Sequence, residues 1–65
     1  MKLKINGELK EVSVSGLQTL IKSLNLDGKP IAVELNQKVI PKKQFESTDL
    51  KDGDSLEIIT FVGGG

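Results

Sequence analysis

The sequence predicts a small α+β domain, because its apolar residues alternate at period two before and after one segment that follows a helical period. Met1 to Asn6 and Ile31 to Leu35 alternate in polarity, as half-buried strands do. Leu17 to Leu24 instead places apolar residues at i, i+3, i+4 and i+7, which forms one stripe of a helix. At 65 residues the chain is long enough for one domain, whose core must use nearly all of its apolar residues.

The first strand is followed by a hairpin signal. Asn6-Gly7 predicts a two-residue loop, because both residues tolerate the positive φ of a type I′ turn. The returning strand then runs from Glu8 to Val14. In that register Val12 faces the core, but Leu9 faces the other side of the sheet. A longer loop or a bulge near Leu9 is the alternative, because either one would turn Leu9 inward.

A short helix is predicted after this hairpin. Ser15 and Gln18 have the spacing of a capping box, with Ser15 as the N-cap. The apolar stripe that follows consists of Leu17, Leu20, Ile21 and Leu24. Asp27 to Pro30 breaks the pattern and predicts a loop. The helix is therefore about two turns long, and tertiary packing must stabilise it.

The second half of the chain predicts three further strands: Ile31 to Leu35, Lys38 to Ile40, and Ser55 to about Phe61. Asn36-Gln37 is the expected turn between the first two. Pro41 ends the second, because it has no N–H to donate.

A segment without clear periodicity, residues 42–50, separates the last two strands. We expect it to cross the domain with a short helical turn, anchored in the core by Phe45 and Leu50. Residues 51–54 predict a turn. Lys42, Lys43 and the charges of that turn are expected to be solvated and to form no site.

The order of elements predicts a β-grasp (ubiquitin-like) fold. The first and last strands are the expected parallel central pair of a mixed sheet of four to five strands, with one main helix packed on one face. We expect residues 1–61 to form the domain and residues 62–65 to form a flexible C-terminal Gly-Gly tail.

The composition excludes several classes of function. Cysteine, histidine, arginine and tryptophan are absent, which removes thiolate chemistry and the commonest general base and metal ligand. Nine lysines balance nine acidic residues, so no basic surface for nucleic acid is predicted. No apolar run reaches the roughly 20 residues that span a bilayer. We expect a soluble cytoplasmic protein that binds no metal or cofactor and is not itself an enzyme.

The three terminal glycines, Gly63 to Gly65, are the remaining chemical handle. Their α-carboxylate is ionised at neutral pH and can attack a phosphoanhydride, so a partner that supplies ATP and magnesium could activate it. Residues 62–65, if extended, reach about 13 Å beyond the last strand at roughly 3.3 Å per residue. The alternative is an ordinary frayed chain end in which glycine has no role.

A docking patch is predicted beside this tail. If Leu56 and Ile58 enter the core, then Ile59 and Phe61 point to the opposite face of the sheet. With Val62 they form the expected contact surface for a partner. The alternative is that the crossing segment covers Ile59 and Phe61.

Three stretches of the sequence resemble the ThiS family, the ubiquitin-like sulfur carriers of thiamin biosynthesis. They are Ala32 to Pro41, with the pattern A-V-x-x-N-x-x-x-x-P, the run Leu50 to Asp54 with its D-G-D turn, and Phe61 to Gly65. The resemblance covers nearly the whole chain.

The resemblance implies the reaction partners. An E1-like adenylyltransferase (ThiF-like) would use ATP and Mg to adenylate the carboxylate of Gly65. A persulfide sulfur donor would then convert the acyl-adenylate to a thiocarboxylate. Thiazole synthase (ThiG-like) would receive the sulfur. Gly63 and Gly64 match the part of the tail that threads a partner active site, and the free carrier is expected to be a monomer.

Other assignments remain open at the level of the sequence. The small subunit of molybdopterin synthase shares the fold and the Gly-Gly end, although it tends to be longer and more helical. Carriers that feed other sulfur pathways are also similar. A ubiquitin-like protein modifier would use the same carboxylate on lysines, and a purely binding β-grasp module would not use it at all.

Overall fold

The computed structural model describes residues 1–61, which contain five strands, one α-helix and one 3₁₀ helix. The elements are β1 (Lys2–Ile5), β2 (Glu8–Glu11), α1 (Leu17–Ser23), β3 (Ile31–Leu35), β4 (Lys38–Ile40), the 3₁₀ helix (Lys42–Ser47) and β5 (Ser55–Thr60). The strands form one sheet in the order β2–β1–β5–β3–β4. β1 and β5 are parallel, as the sequence predicted, and the other neighbours are antiparallel.

The first hairpin has the two-residue loop. Ile5 pairs with Glu8, and the loop residues Asn6 and Gly7 have φ angles of 50° and 85°. The ladder continues without a bulge through Leu9, which is 69% exposed. The alternative of a longer loop or a bulge is therefore wrong, because the type I′ turn alone fixes the register. β2 is shorter than predicted and ends at Glu11.

The second hairpin repeats this turn chemistry. Asn36 and Gln37 connect β3 to β4 with φ angles of 51° and 71°. A left-handed backbone conformation at both loop positions matches the twist of the flanking strands, so the strands can pair up to the loop.

The start of α1 differs from the prediction. The N-cap is Gly16 rather than Ser15, and no side chain caps the helix. The N–H of Leu17 donates instead to the carbonyl of Thr48, and the side chain of Gln18 donates to Asp27 at 2.8 Å. A tertiary hydrogen bond from the crossing segment has replaced the local capping box.

The core lies between the sheet and the two helices. Its buried residues are Leu3, Ile5, Leu17, Leu20, Ile21, Val33, Phe45, Leu50, Leu56 and Ile58. Phe45 and Leu50 anchor the crossing segment, as predicted. Leu24, the last residue of the predicted stripe, lies at the helix end and is 37% exposed. In the described part of the chain no helix is long and apolar enough to cross a membrane.

Candidate functional site: the outer sheet face and the end of β5

The last strand divides its side chains between the two faces of the sheet. Leu56 and Ile58 are buried in the core, whereas Ile59 is 49% exposed and Phe61 is 56% exposed. The predicted placement of all four residues is confirmed. The crossing segment leaves Ile59 and Phe61 uncovered, because its apolar anchors pack into the core on the inner face.

The outer face of the sheet is open along its whole width. The strand pairing and the alternation of side chains place these residues on it: Lys2, Lys4, Leu9, Glu11, Ala32, Glu34, Val39, Ser55, Glu57 and Ile59. None of them is buried. Lysines occupy β1, whereas carboxylates and apolar groups occupy β5, β3 and β4. Partner contacts are therefore available near the end of β5 without any rearrangement of the core.

The end of β5 is held from both sides. Toward β3, the N–H of Phe61 donates to the carbonyl of Pro30 at 3.0 Å. Toward β1, the side chain of Asn6 bonds both backbone groups of Ile58. Its Oδ1 accepts from the Ile58 N–H at 2.7 Å, and its Nδ2 donates to the Ile58 carbonyl at 3.1 Å. The Asn6 amide thus continues the parallel ladder past the point where β1 turns away.

The start of β5 is held by a second asparagine. Asn36 Oδ1 accepts from the N–H of Ser55, and Asn36 Nδ2 donates to Oδ1 of Asp54, both at 2.9 Å. Asp54 Oδ2 accepts from the N–H of Lys51 and closes the turn that precedes the strand. The turn residues expected to be only solvated charges therefore have a structural role.

The same turn is tied to β1. The N–H of Lys2 donates to Oδ1 of Asp52 at 2.6 Å, and its carbonyl accepts from the N–H of Gly53 at 2.7 Å. Gly53 has a φ of 91°, a conformation that side chains with a Cβ rarely adopt. The D-G-D motif thus positions the start of β5 against β1.

The sequence predicted both asparagines as turn residues but not their bonds to β5. The sequence feature that could have predicted these bonds is the turn type itself. A side chain on the first residue of a two-residue hairpin loop lies close to the neighbouring strand, and Asn offers a donor and an acceptor there. Only the strand order, with β5 between the two hairpins, shows which backbone groups they meet.

A small cavity lies at the helical side of the domain. It has a volume of about 90 Å³ and is lined by α1, the loop through Pro30, and the 3₁₀ helix, including Ile21, Phe45 and Lys42. Pockets for drug-sized ligands are typically about 300–1,000 Å³. Within residues 1–61, no three acidic side chains come together in a way that could hold a metal ion.

The predicted tail lies outside the described residues. This applies to Val62, predicted to join the docking patch, to Gly63 and Gly64, predicted to thread a partner site, and to Gly65, predicted to carry the reactive carboxylate. The structure therefore describes the strand that leads to the tail and the face beside it.

Comparison with known proteins identifies relatives along the whole chain. The ThiS family profile matches residues 3–65. The sulfur carrier protein ThiS of Bacillus subtilis is 38% identical over 65 residues, covering 97% of this chain and 98% of that protein. The crystal structure of the thiamine biosynthesis protein ThiS from Geobacter metallireducens has a TM-score of 0.84 at 33% identity, with 100% of both chains covered. This similarity confirms the predicted β-grasp fold.

A further relative is much longer. The thiazole synthase of Paramagnetospirillum magneticum is 42% identical over 66 residues, which cover 100% of this chain but 20% of that protein. The chain therefore spans one fifth of the length of this relative.

Proposed function

The chain belongs to the ThiS family, and from this premise we propose that it is a sulfur carrier of thiamin biosynthesis whose reactive group is the carboxylate of Gly65. The observation that carries the proposal is the family match, which extends through the terminal glycines to residue 65. The related sulfur carrier of Bacillus subtilis, which is similar over nearly its whole length, supports the assignment.

The proposed chemistry needs three steps at the terminal carboxylate. A carboxylate oxygen of Gly65 attacks the α-phosphorus of ATP, and pyrophosphate leaves with its magnesium ion. The terminal sulfur of a persulfide donor then attacks the acyl carbon and displaces AMP. A thiol then attacks the donor's sulfur in the resulting S–S bond, which releases the thiocarboxylate on the carrier and forms a disulfide between that thiol and the donor's sulfur.

The carrier domain positions the reactive tail for this chemistry. Hydrogen bonds from Asn6 and to Pro30 fix the end of β5, so the tail begins from a defined point. Gly63 and Gly64 lack Cβ atoms, which suits passage through a narrow partner site. In this proposal the carrier is a substrate of its partner enzymes and catalyses nothing itself.

A thiazole synthase is the proposed acceptor of the sulfur. The support is that a segment similar to this whole chain lies within a protein named thiazole synthase. Joining a carrier to its acceptor in one polypeptide raises their effective concentration, which is useful when the two must meet repeatedly. The E1-like activating enzyme and the persulfide donor are proposed from the chemistry of the carboxylate.

Docking of these partners is proposed at the exposed end of β5. Ile59 and Phe61 expose large apolar groups immediately before Val62 and the glycines. A partner that covers them is positioned to receive the tail as well. Contact with the domain and insertion of the tail then occur in a single binding event.

Intact mass spectrometry tests the proposed function. The chain is incubated with ATP, magnesium, the activating enzyme of the same organism and a persulfide donor. The expected result is a mass gain that corresponds to one oxygen replaced by sulfur, located in the C-terminal peptide. The variant that lacks Gly65 is expected to fold with unchanged stability and to show no gain.

Two results would contradict the proposal. Sulfur located outside the C-terminal peptide would place the reactive group elsewhere. Stable conjugates between this chain and lysines of other proteins, with no thiocarboxylate in the presence of the donor, would instead identify a protein modifier.

A further inference from the structure

Two carboxylates face each other across the middle of the sheet. Glu34 of β3 pairs directly with Glu57 of β5, and both side chains lie on the outer face. Directly opposed residues have Cβ atoms about 5 Å apart, and like charges at that distance destabilise the pair of strands. Folding alone does not favour this arrangement. A lysine or a threonine at either position would avoid the repulsion, and an open face of the sheet tolerates both residues.

The fold does not neutralise this pair. Within residues 1–61, the ion pairs join the N-terminus to Glu11 and Lys10 to Glu8. Neither involves Glu34 or Glu57. The lysines on the outer face, Lys2 and Lys4, both lie on the far side of β5 from Glu34. The nearer is Lys4, which pairs with Ser55 on the same strand as Glu57 but forms no ion pair with Glu57.

Apolar residues surround the two carboxylates. Ile59 of β5 pairs with Ala32 of β3, two residues along each strand from the Glu34–Glu57 pair. Val39 of β4 lies opposite Glu34. Val39 is 69% exposed. A partner that covers these apolar groups also removes water from the carboxylates, and the lower dielectric strengthens their attraction to a cation.

We propose that the outer face of β5, β3 and β4 docks a protein surface in which a basic side chain, an arginine guanidinium or a lysine ammonium, is set among apolar groups. The cation lies between Glu34 and Glu57, and the apolar groups cover Ile59 and Val39. The inference rests on the proposed function and adds the chemistry of the partner. The partner, rather than a second copy of this chain, is the occupant, because the same patch adjoins the strand end from which the tail must reach an active site.

Binding relieves a repulsion that the free carrier retains. In the free protein the two charges repel each other, and solvent screens them only in part. In the complex one cation interacts with both. The pair therefore lowers the stability of the free fold and raises affinity for the partner, and this opposite sign distinguishes a docking role from a structural one.

Glu57→Gln, Glu34→Gln and Glu57→Lys test the inference. Binding of each variant to the thiazole synthase and to the activating enzyme of the same organism is measured by calorimetry at low and high salt. We expect the Gln variants to weaken binding to at least one of the two enzymes by about tenfold, and Glu57→Lys to weaken it by about a hundredfold. The loss should shrink at high salt.

Unfolding measurements on the same variants supply the second readout. Each Gln variant is expected to unfold at an equal or higher urea concentration than the wild type, since one like-charge contact is removed. Glu46→Gln is the matched control, because Glu46 is exposed, as Glu57 is, but lies on the 3₁₀ helix. It should bind both enzymes as the wild type does.

The outcomes separate the two proposals. If the wild type binds neither enzyme, the proposed function fails and this inference with it. If the wild type binds but the Glu variants bind equally well, or if they weaken only self-association in sedimentation, the docking inference alone is overturned. A Gln variant that loses both binding and stability also contradicts it.

Discussion

The inner face of the sheet buries every large apolar side chain that it presents near its centre, whereas the outer face of the same strands buries none. β5 shows the contrast most directly, since Leu56 and Ile58 alternate with the exposed Glu57 and Ile59. The inner positions follow the rules of core packing. The outer positions break a rule of strand pairing, because they place like charges directly opposite each other.

This difference separates what the fold needs from what partners need. The inner residues of β5 contact the core, and the asparagines of both hairpins bind its backbone. Substitutions on the outer face therefore leave these restraints in place. Under the proposed function, one strand keeps a constant core face while its other face contacts the enzymes that use the tail.

The largest expected effect comes from the inner face. Leu56→Ala removes a side chain that is 0% exposed and is expected to lower the free energy of unfolding by about 2–5 kcal/mol. Small domains have total stabilities at the low end of roughly 5–15 kcal/mol, so much of this variant should be unfolded at 25 °C. Urea denaturation followed by circular dichroism measures the loss.

Ile59→Ala is the matched variant on the outer face of the same strand. Because Ile59 is already 49% exposed, its loss should cost less than about 1 kcal/mol. Equal losses at Leu56 and Ile59 would show that the outer face is covered in solution, and would remove the contrast between the two faces.

An intermediate effect is expected where a hairpin turn contacts β5. Asn6→Gly keeps the positive φ of the turn but removes both side-chain hydrogen bonds to Ile58. Two such bonds contribute about 1–3 kcal/mol to stability. Hydrogen exchange should become faster at the Ile58 amide in particular, and NMR measures this site directly.

The control is Gln37→Gly in the other hairpin. Gln37 also has a positive φ, of 71°, so glycine removes backbone strain there. This variant should be as stable as the wild type or slightly more stable. If both glycine variants behave alike, the turn backbone rather than the Asn6 amide determines how the end of β5 is held.

The sequence predicted the features that depend on local patterns. The two-residue turns at Asn6-Gly7 and Asn36-Gln37 and the alternation in β5 follow from backbone conformation and period, and the structure confirms them. The ThiS resemblance is confirmed along the same residues. The turn and alternation signals are local, because each involves residues only a few positions apart.

Two features that depend on long-range contacts escaped prediction. The capping box at Ser15 failed because the carbonyl of Thr48, far along the chain, meets the helix start. The pairing of Glu34 with Glu57 requires the register between β3 and β5, which neither strand specifies alone. The exposed Leu9 conflicted with the expected pattern, but there the turn geometry decided the register.

The smallest effect on stability is expected at two exposed apolar residues. The same two residues test how far the docking face extends across the sheet. Leu9 lies on the edge strand β2 and Phe61 follows β5, and they are 69% and 56% exposed. Leu9→Thr and Phe61→Thr should each change the free energy of unfolding by about 0.5 kcal/mol or less. Phe61→Thr should nevertheless weaken binding to the thiazole synthase about tenfold, as expected for an anchor residue.

Leu9→Thr should leave that binding unchanged, because β2 lies at the opposite edge of the sheet from β3 and β4. Titration calorimetry on both variants gives the comparison. An equal loss from the two would mean that the partner covers the whole outer face, including the lysines of β1. In that case the acidic pair would lie inside an interface that also includes lysines. A single partner cation would then no longer explain why two carboxylates face each other there. A loss confined to Phe61 instead limits docking to the half of the sheet that leads into the tail.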